Sequence, residues 1–449
     1  LLGCAPALAA CTGPGGPGTA RTTGPTSMPP PAVGSMVPQV TELTVDAVQS
    51  ARGGEGWQTA LTSERTGSAK FDILPTRAGP LVCLLPYYYS ENNSYAVLVA
   101  LDPADGSLAW ARLISLPDGA APRWEDYESA AGNAVTEAAH RSDVVVSPDG
   151  RYVSVILRAY VSLTPGEHVS AVAILDPASG RTVRTEEIRG LVLGQALTDD
   201  ALVIQTSSLL HPGSETVIAG PDGPDGPGAD DVVDTTSTLT AFPLADPQAP
   251  PTTGSTPLWL LGATRDSLLL GASRIDPACY AGDCLGYQVA LATASGQTTG
   301  RLDGVYAVHP NSLLERFTGG QTDDAALTAI TRGTPASTAN RDKESSWNRV
   351  WAGLGRELLD PASGATADIT GLTLSHAPTA GGWITICRRP AWSKGDKGPT
   401  YAPEMVGWMD APGPVSTEPI MMLSHDGPPK DSSTFNVSLT RTPFTGRTG

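Results

Sequence analysis

The sequence predicts an all-β chain made of antiparallel four-stranded units repeated in series. Three observations carry that expectation. Forty-nine Gly and 40 Pro among 449 residues suit many short strands joined by turns. The segment Ile174–Val183 (ILDPASGRTV) sets Asp-Pro-small-small-Gly between two runs of strand formers, with relatives at Ala100–Trp110 (ALDPADGSLAW) and Leu358–Ile369 (LLDPASGATADI). A second hairpin pattern, sharpest in Val144–Leu157 (VVVSPDGRYVSVIL), stands upstream of these copies.

The Asp-Pro-small-small-Gly stretch is a turn by its own chemistry. Asp at the first position accepts bonds from backbone N–H groups two residues on, Pro fixes φ near −65°, and Gly takes the φ > 0 position that closes the loop. Asp176 is therefore read as a turn former rather than a catalytic carboxylate. Degenerate copies follow at Ala241–Pro250, Ala290–Leu302 and Gly407–Thr417. Looser versions of the upstream hairpin occur at Leu197–Ser207, Gly262–Ser273, Val308–Phe317 and Pro378–Cys387. Two hairpins in series make four antiparallel strands, and such units in series are the signature of a β-propeller. The outer-hairpin markers Asp102, Asp176, Leu244, Thr293, Asp360 and Asp410 stand 74, 68, 49, 67 and 50 residues apart. Six blades fit these markers. A seventh forms if Gly56–Ile73 and Thr434–Thr442 share one blade, which would close the ring. The longer intervals require inserts, visible at Pro117–Asp143, with room for a helical turn, and at Gly220–Ser237.

The repeats also carry a resemblance. SPDGRYVSVIL (Ser147–Leu157) resembles the turn and strand of WD40-type propellers. LDPADGSLAW (Leu101–Trp110), with Trp110, is similar to the outer hairpin of the PQQ-like (quinoprotein-like) propeller repeat. The similarity spans Gly56–Phe444, with three sharp copies. A quinoprotein dehydrogenase of that family would bring a cofactor pocket, a cation ligand set, adjacent Cys and Trp docking motifs in nearly every repeat. Here Trp110 stands nearly alone, so the resemblance reaches the scaffold, and no cofactor is expected from it.

The amino terminus reads as an export segment. Leu8–Cys11 (LAAC) closely resembles the lipobox of bacterial lipoproteins, whose Cys becomes the lipidated amino terminus; Leu1–Cys4 (LLGC) is a weaker second match. The expected organisation is residues 1–11 as the end of a signal peptide, 12–38 as a Gly/Pro/Ser/Thr-rich tether, and 39–449 as a single propeller domain. Such a tether spans roughly 30 Å as a coil. Ten apolar residues are too few to cross a bilayer, so the only expected membrane attachment is a lipid on Cys11, at the outer face of the cytoplasmic membrane or the cell surface. Composition rich in Ala, Gly, Pro and Thr resembles that of an exported protein from a high-GC bacterium. A net charge of −17 repels phosphate backbones and excludes nucleic acid as a partner.

Four Cys follow the export segment. Cys279 and Cys284 bracket YAGD, where a local disulfide fits. Cys83 and Cys387 lie in strand-like runs; they either pair and close a very long loop or are separate buried thiols. Zinc spacing is lacking. Asp222, Asp225, Asp230, Asp231 and Asp234 could bind Ca²⁺ through loop oxygens, although the spacing is not that of an EF-hand; the plainer reading is a solvated loop. Trp347 and Trp351, four residues apart among charges, could form a binding patch on a short helix, or simply cover a strand edge. The aromatic stretch Leu84–Tyr95 is a comparable cluster. No G-x-S-x-G or H-E-x-x-H occurs, and six His are scattered. The expected function is a binding scaffold for a protein or a cell-envelope ligand. The alternative is a secreted hydrolase or lyase with its site at the channel mouth, which would require convergent titratable groups with shifted pKa.

Overall fold

In the computed structural model, residues 36–51, 56–63, 69–86, 95–117, 143–160, 169–207, 237–271, 287–309, 312–318, 355–370, 372–379, 382–391, 400–408, 415–416, 420–426, 434–442 and 446–447 are described. Among them there are strands and turns but no α-helix, and no helix is long and apolar enough to cross a membrane.

Blade 1 runs outward from the axis as Ala69–Thr76, Gly79–Pro86, Tyr95–Leu101 and Leu108–Ser115, all antiparallel, with a fifth strand, Gln39–Glu42, on its outer edge. Blade 2 follows with Val144–Val146, Val153–Tyr160, Val169–Asp176 and Arg181–Arg189. Blade 3 comprises Leu191–Leu197, Ala201–Ser207, Thr238–Pro243 and Thr252–Ser255. Blade 4 comprises Trp259–Ala263, Leu268–Gly271, Tyr287–Ala292 and the first part of Thr298–Val308. The end of that strand pairs onward with Leu314–Phe317, then Arg356–Leu359 and Thr366–Asp368, forming blade 5. Gly304, at φ 74°, marks the passage from one blade to the next.

A seven-stranded sheet closes the ring. Its order is Asp46–Ala51, Gly56–Thr62, Thr434–Thr442, Ile420–Asp426, Thr373–Thr379, Gly382–Ala391 and Thr400–Trp408. Strand Thr434–Thr442 pairs with Gly56–Thr62 from Thr434↔Thr62 through Thr440↔Gly56, so both ends of the domain share one sheet. The segment Gly56–Ile73 divides, however: its first half belongs to this sheet, while Ile73 lies on the innermost strand of blade 1. Strands of blades 1–5 in this order, closed by a shared sheet, make the all-β chain a propeller.

The buried runs follow from having a blade on each side. Along Tyr95–Leu101 every residue after Tyr95 is buried. Ala96, Leu98 and Ala100 face Val153, Val155, Ala171 and Ala173 of blade 2. Val97, Val99 and Leu101 face Trp57, Phe435 and Val437 of the closing sheet. Period-two side chains thus split one continuous apolar run between two interfaces. Each fully buried Leu or Val there contributes about 1.5–3 kcal/mol.

Candidate functional site at the turn face

Within blades 1–5 the turn after the innermost strand and the turn between the third and fourth strands lie at the same end of the barrel of blades. Gly79 and Pro103, one from each turn of blade 1, are in contact: a Cβ added at Gly79 would lie 2.8 Å from Pro103 Cδ.

The inner turns repeat one device. A buried hydroxyl closes each: Thr76 Oγ1 donates to Gly79 O at 2.8 Å, Thr198 Oγ1 to Ala201 O at 3.2 Å, Thr264 Oγ1 to Ser267 O at 3.3 Å, and Thr379 Oγ1 to Gly382 O at 2.7 Å. Ser147 takes this position in blade 2 and accepts from Tyr152 N at 3.0 Å. In blade 5 the position is His309, whose N donates to Leu313 O.

Consecutive inner turns bond to one another. Arg77 N donates to Gly150 O at 3.1 Å, Asp149 N to Asp199 Oδ1 at 3.0 Å, and Asp199 N to Arg265 O at 2.8 Å. Ser312 Oγ donates to Ala263 O. Gly150 is at φ 69°, and a Cβ there would lie 2.4 Å from Arg77 N, so this junction requires glycine. The rim alternates charge, with Arg77, Arg151 and Arg265 beside Asp149, Asp199, Asp200 and Asp266.

Two of these carboxylates are displaced in opposite directions. Burial works to raise Asp149, but bonds from Ser147 Oγ, Arg151 N and the Arg151 guanidinium outweigh it and hold Asp149 below the ordinary 3.8. Asp199 is raised, first by burial and then by the negative charge of Asp149. Both carboxylates are also structural: Asp149 Oδ1 accepts from Arg151 N in its own turn, and Asp199 Oδ1 accepts from Asp149 N of the preceding blade.

A buried ionic group lies between blade 5 and the closing sheet. His309 Nε2 and Glu315 Oε1 are 2.7 Å apart, and Arg356 Nη1 stands 3.9 Å from Glu315 Oε2. Arg356 Nη2 donates to Leu372 O at 2.5 Å and to Ile369 O at 3.4 Å, tying the end of blade 5 to the start of the next strand. Ser312 is the one non-glycine at positive φ among the described residues, at 64°. Its hydroxyl donates to Ala263 O of blade 4.

The outer turns are docked by the preceding blade. Trp110 Nε1 donates to Pro177 O at 3.0 Å, and Arg112 Nε to Gly180 O at 3.1 Å. Trp57 repeats the arrangement one blade earlier: its Nε1 donates to Pro103 O at 3.0 Å, and Thr59 Oγ1 to Gly106 O at 2.7 Å. Trp110 is therefore not alone. At the matching position of blade 2, Arg184 donates to Ala249 O at 3.0 Å and lies 5.2 Å from the Phe242 ring centroid.

Asp176 orders its turn as read from the sequence, accepting from Ala178 N at 2.9 Å and from Gly180 N through its carbonyl at 2.8 Å. Cys83 is buried among Leu81, Leu98, Val153 and Val155. Cys387 lies on Gly382–Ala391, with its side chain outside the described residues. Cys11, Cys279, Cys284, Trp347, Trp351 and the Asp222, Asp225, Asp230, Asp231 and Asp234 cluster also lie outside them. The described strands flanking the last three of these segments end opposite the turn face, each segment joining the second and third strands of its blade. Among the described residues no group of three His, Cys, Asp or Glu could hold a metal ion.

Fold and turn docking together define a β-propeller. No family model matches the chain, and no curated protein matches it. Similar solved structures include BamB from Moraxella catarrhalis, at 9% identity over 88% of this chain and 100% of that one, with a TM-score of 0.30. The β-propeller domain of the Trilobed protease from Pyrococcus furiosus is similar at 9% identity over 84% and 93%, with a TM-score of 0.35. Pyrococcus horikoshii acylaminoacyl peptidase is similar at 12% identity over 81% and 50%, with a TM-score of 0.36. At these identities none of them lends the chain an activity.

Proposed function

We propose that this chain is an exported propeller, anchored by a lipid on Cys11, that binds a protein or a cell-envelope ligand and performs no chemistry on it. The observation that carries the reading is the use made of the turn face. The Thr hydroxyls and Asp149 are spent on closing their own turns, while Asp199, the Ser312 hydroxyl and main-chain bonds join one turn to the next, which favours a platform over a set of groups held ready for a substrate. Cross-linking in intact cells followed by capture of the chain should recover one reproducible partner; capture of the chain alone would end this reading. Mass analysis of the native amino terminus should find a lipidated Cys11, and an unmodified terminus elsewhere would remove the anchor.

A hydrolase or lyase remains the second reading because of Asp149 and Asp199, whose opposite displacements are the pattern of an acid–base pair. In the binding reading the same pair only sets acid stability. Asp149 is lowered, so its contribution is present above 3.8 and is lost as pH falls through its folded value. Asp199 is raised, so its contribution is complete below 3.8 and is lost as pH rises through its folded value. Asp149→Asn should flatten the acid limb of a stability–pH curve, and Asp199→Asn should remove a loss just above it. Turnover of any chromogenic ester, peptide or glycoside that disappears in Asp199→Asn would instead favour the enzyme.

A further inference from the structure

The closing sheet ends in a strand unlike the outer edges of blades 1, 2, 3 and 5. Asp46–Ala51 (DAVQSA) pairs on one side with Gly56–Thr62, and among the described residues no strand pairs with its other side. The outer strands of blades 1, 2, 3 and 5 are covered, charged, pressed or short. The outer strand of blade 1 is covered by Gln39–Glu42. That of blade 2 carries Arg181, Arg184, Glu186, Glu187 and Arg189, with Arg184–Glu186 and Arg189–Glu187 ion pairs along it. That of blade 3 is pressed by the next turn, since a Cβ at Gly254 would lie 1.9 Å from Ser295 O. That of blade 5 is three residues long and ends in Asp368.

Asp46–Ala51 has six residues and neither Lys, Arg nor Pro, the usual protections of an open edge. It also carries Val48, 67% exposed, the most exposed large apolar side chain among the described residues. Asp46 stands at its start and Arg52 follows its end in sequence, while Gln49 Nε2 reaches Asp105 O at 3.4 Å, which sets the acidic Asp102–Asp105 turn beside the strand.

We propose that Asp46–Ala51 is a docking edge that takes an extended segment of a partner polypeptide as an added strand, with an apolar side chain against Val48 and flanking Lys or Arg beside Asp46 and Asp105. The inference rests on the binding reading above and names the surface that does the binding. Main-chain hydrogen bonds supply affinity in this mode, and alternate side chains supply selection. Charge chooses the occupant. A second copy would bring another −17 to the same edge, whereas a basic peptide is drawn to it. The chain's own leading segment is interrupted by Pro14, Pro17, Pro25 and Pro29–Pro31, which cannot donate to a ladder.

The probe is a fluorescein-labelled peptide, Lys-Thr-Val-Thr-Val-Thr-Lys, titrated with the full chain and followed by anisotropy. Binding should weaken about tenfold in Val48→Lys and several-fold in Asp46→Lys, and the Glu-flanked peptide should bind about tenfold more weakly than the Lys-flanked one. Absence of binding, or equal binding by the variants, would overturn the proposal. So would a dimer in sedimentation that Val48→Lys dissolves, because a second copy would then be the occupant. Cross-linking in cells with Val48→Lys separates the two failures. A partner still captured refutes the edge and leaves the binding reading intact. A wild-type chain that binds the peptide in vitro but captures nothing refutes the binding reading alone.

Discussion

The turns Asp176–Gly180 and Asp360–Gly364 carry the same five residues, Asp-Pro-Ala-Ser-Gly, and fold the same way. In each, the Asp side chain accepts from the N–H two residues on, at 2.9 Å in both. In each, the Gly N–H closes onto the Asp carbonyl at 2.8 Å, and the Gly has positive φ, 64° and 73°. Their surroundings differ. Trp110 and Arg112 of the preceding blade lie on the first turn, and Pro177 and Gly180 are buried beneath them. At Gly364 a Cβ would meet nothing within 4 Å.

The difference traces to one position. Register places Trp110 opposite Ala100, Arg184 opposite Ile174 and Gly300 opposite Leu291, so the three are equivalent residues of successive fourth strands. Blade 4 offers Gly300 where blade 1 offers an indole, and among the described residues nothing lies within 4 Å of a Cβ at Gly364 of the turn it faces. Local sequence determines the turn; the preceding blade determines whether the turn holds two blades together.

The largest effect should come from Trp110→Ala. It removes a nearly buried indole and its bond to Pro177 O, and Trp→Ala in a core costs about 3–5 kcal/mol. Urea denaturation measures it, and a loss under 1 kcal/mol would show that docking contributes little. Next in size is the contrast between the two glycines. Gly364→Ala carries only the left-handed penalty of about 1–2 kcal/mol. Gly180→Ala adds a clash with Trp110 Cδ2 at 2.7 Å, and overpacking of that kind costs typically 1–3 kcal/mol more. Equal losses would break the comparison.

The turns themselves were legible in the sequence because their chemistry is contained in five adjacent residues. So was the shared closure by Thr434–Thr442, since it needs only two strand-forming ends. Trp57 was not legible as a docking residue. Its partner Pro103 lies 46 residues away, and no repeat marker sits beside Trp57 to assign it to a fourth-strand position. The hydroxyl at the inner turns was equally hidden. Thr76, Ser147, Thr198, Thr264 and Thr379 align only once the inserts between them are known, and His309 breaks the residue type. The opposite displacement of Asp149 and Asp199 depends on two turns from different blades meeting, which neither turn's sequence contains.

Asp176→Ala and Asp360→Ala come next. Each removes a side-chain cap on one backbone N–H, worth about 1 kcal/mol. Because the cap is local, the two losses should agree within a few tenths of a kcal/mol. A larger loss at Asp176 would mean that the docked Trp110 depends on the shape the cap imposes, and the separation between local turn and blade contact would fail.

The smallest effect tests the position that differs. Gly300→Trp places an indole where blade 1 has one, facing the bare Asp360–Gly364 turn. There is room at the root of the side chain: a Cβ at Gly300 would meet Leu291 Cδ1 at 3.5 Å, an ordinary contact. Replacing Gly in a strand removes a penalty of about 0.5–1 kcal/mol, and burial against the turn should add to it. The variant is expected to raise the urea midpoint slightly. The sharper readout is coupling. If the new indole docks, Gly364→Ala should cost more in the Gly300→Trp background than alone, approaching the cost of Gly180→Ala. Additive losses would mean that an indole at this position does not reach the turn, and that spacing between blades 4 and 5, rather than Gly300, leaves the turn uncovered.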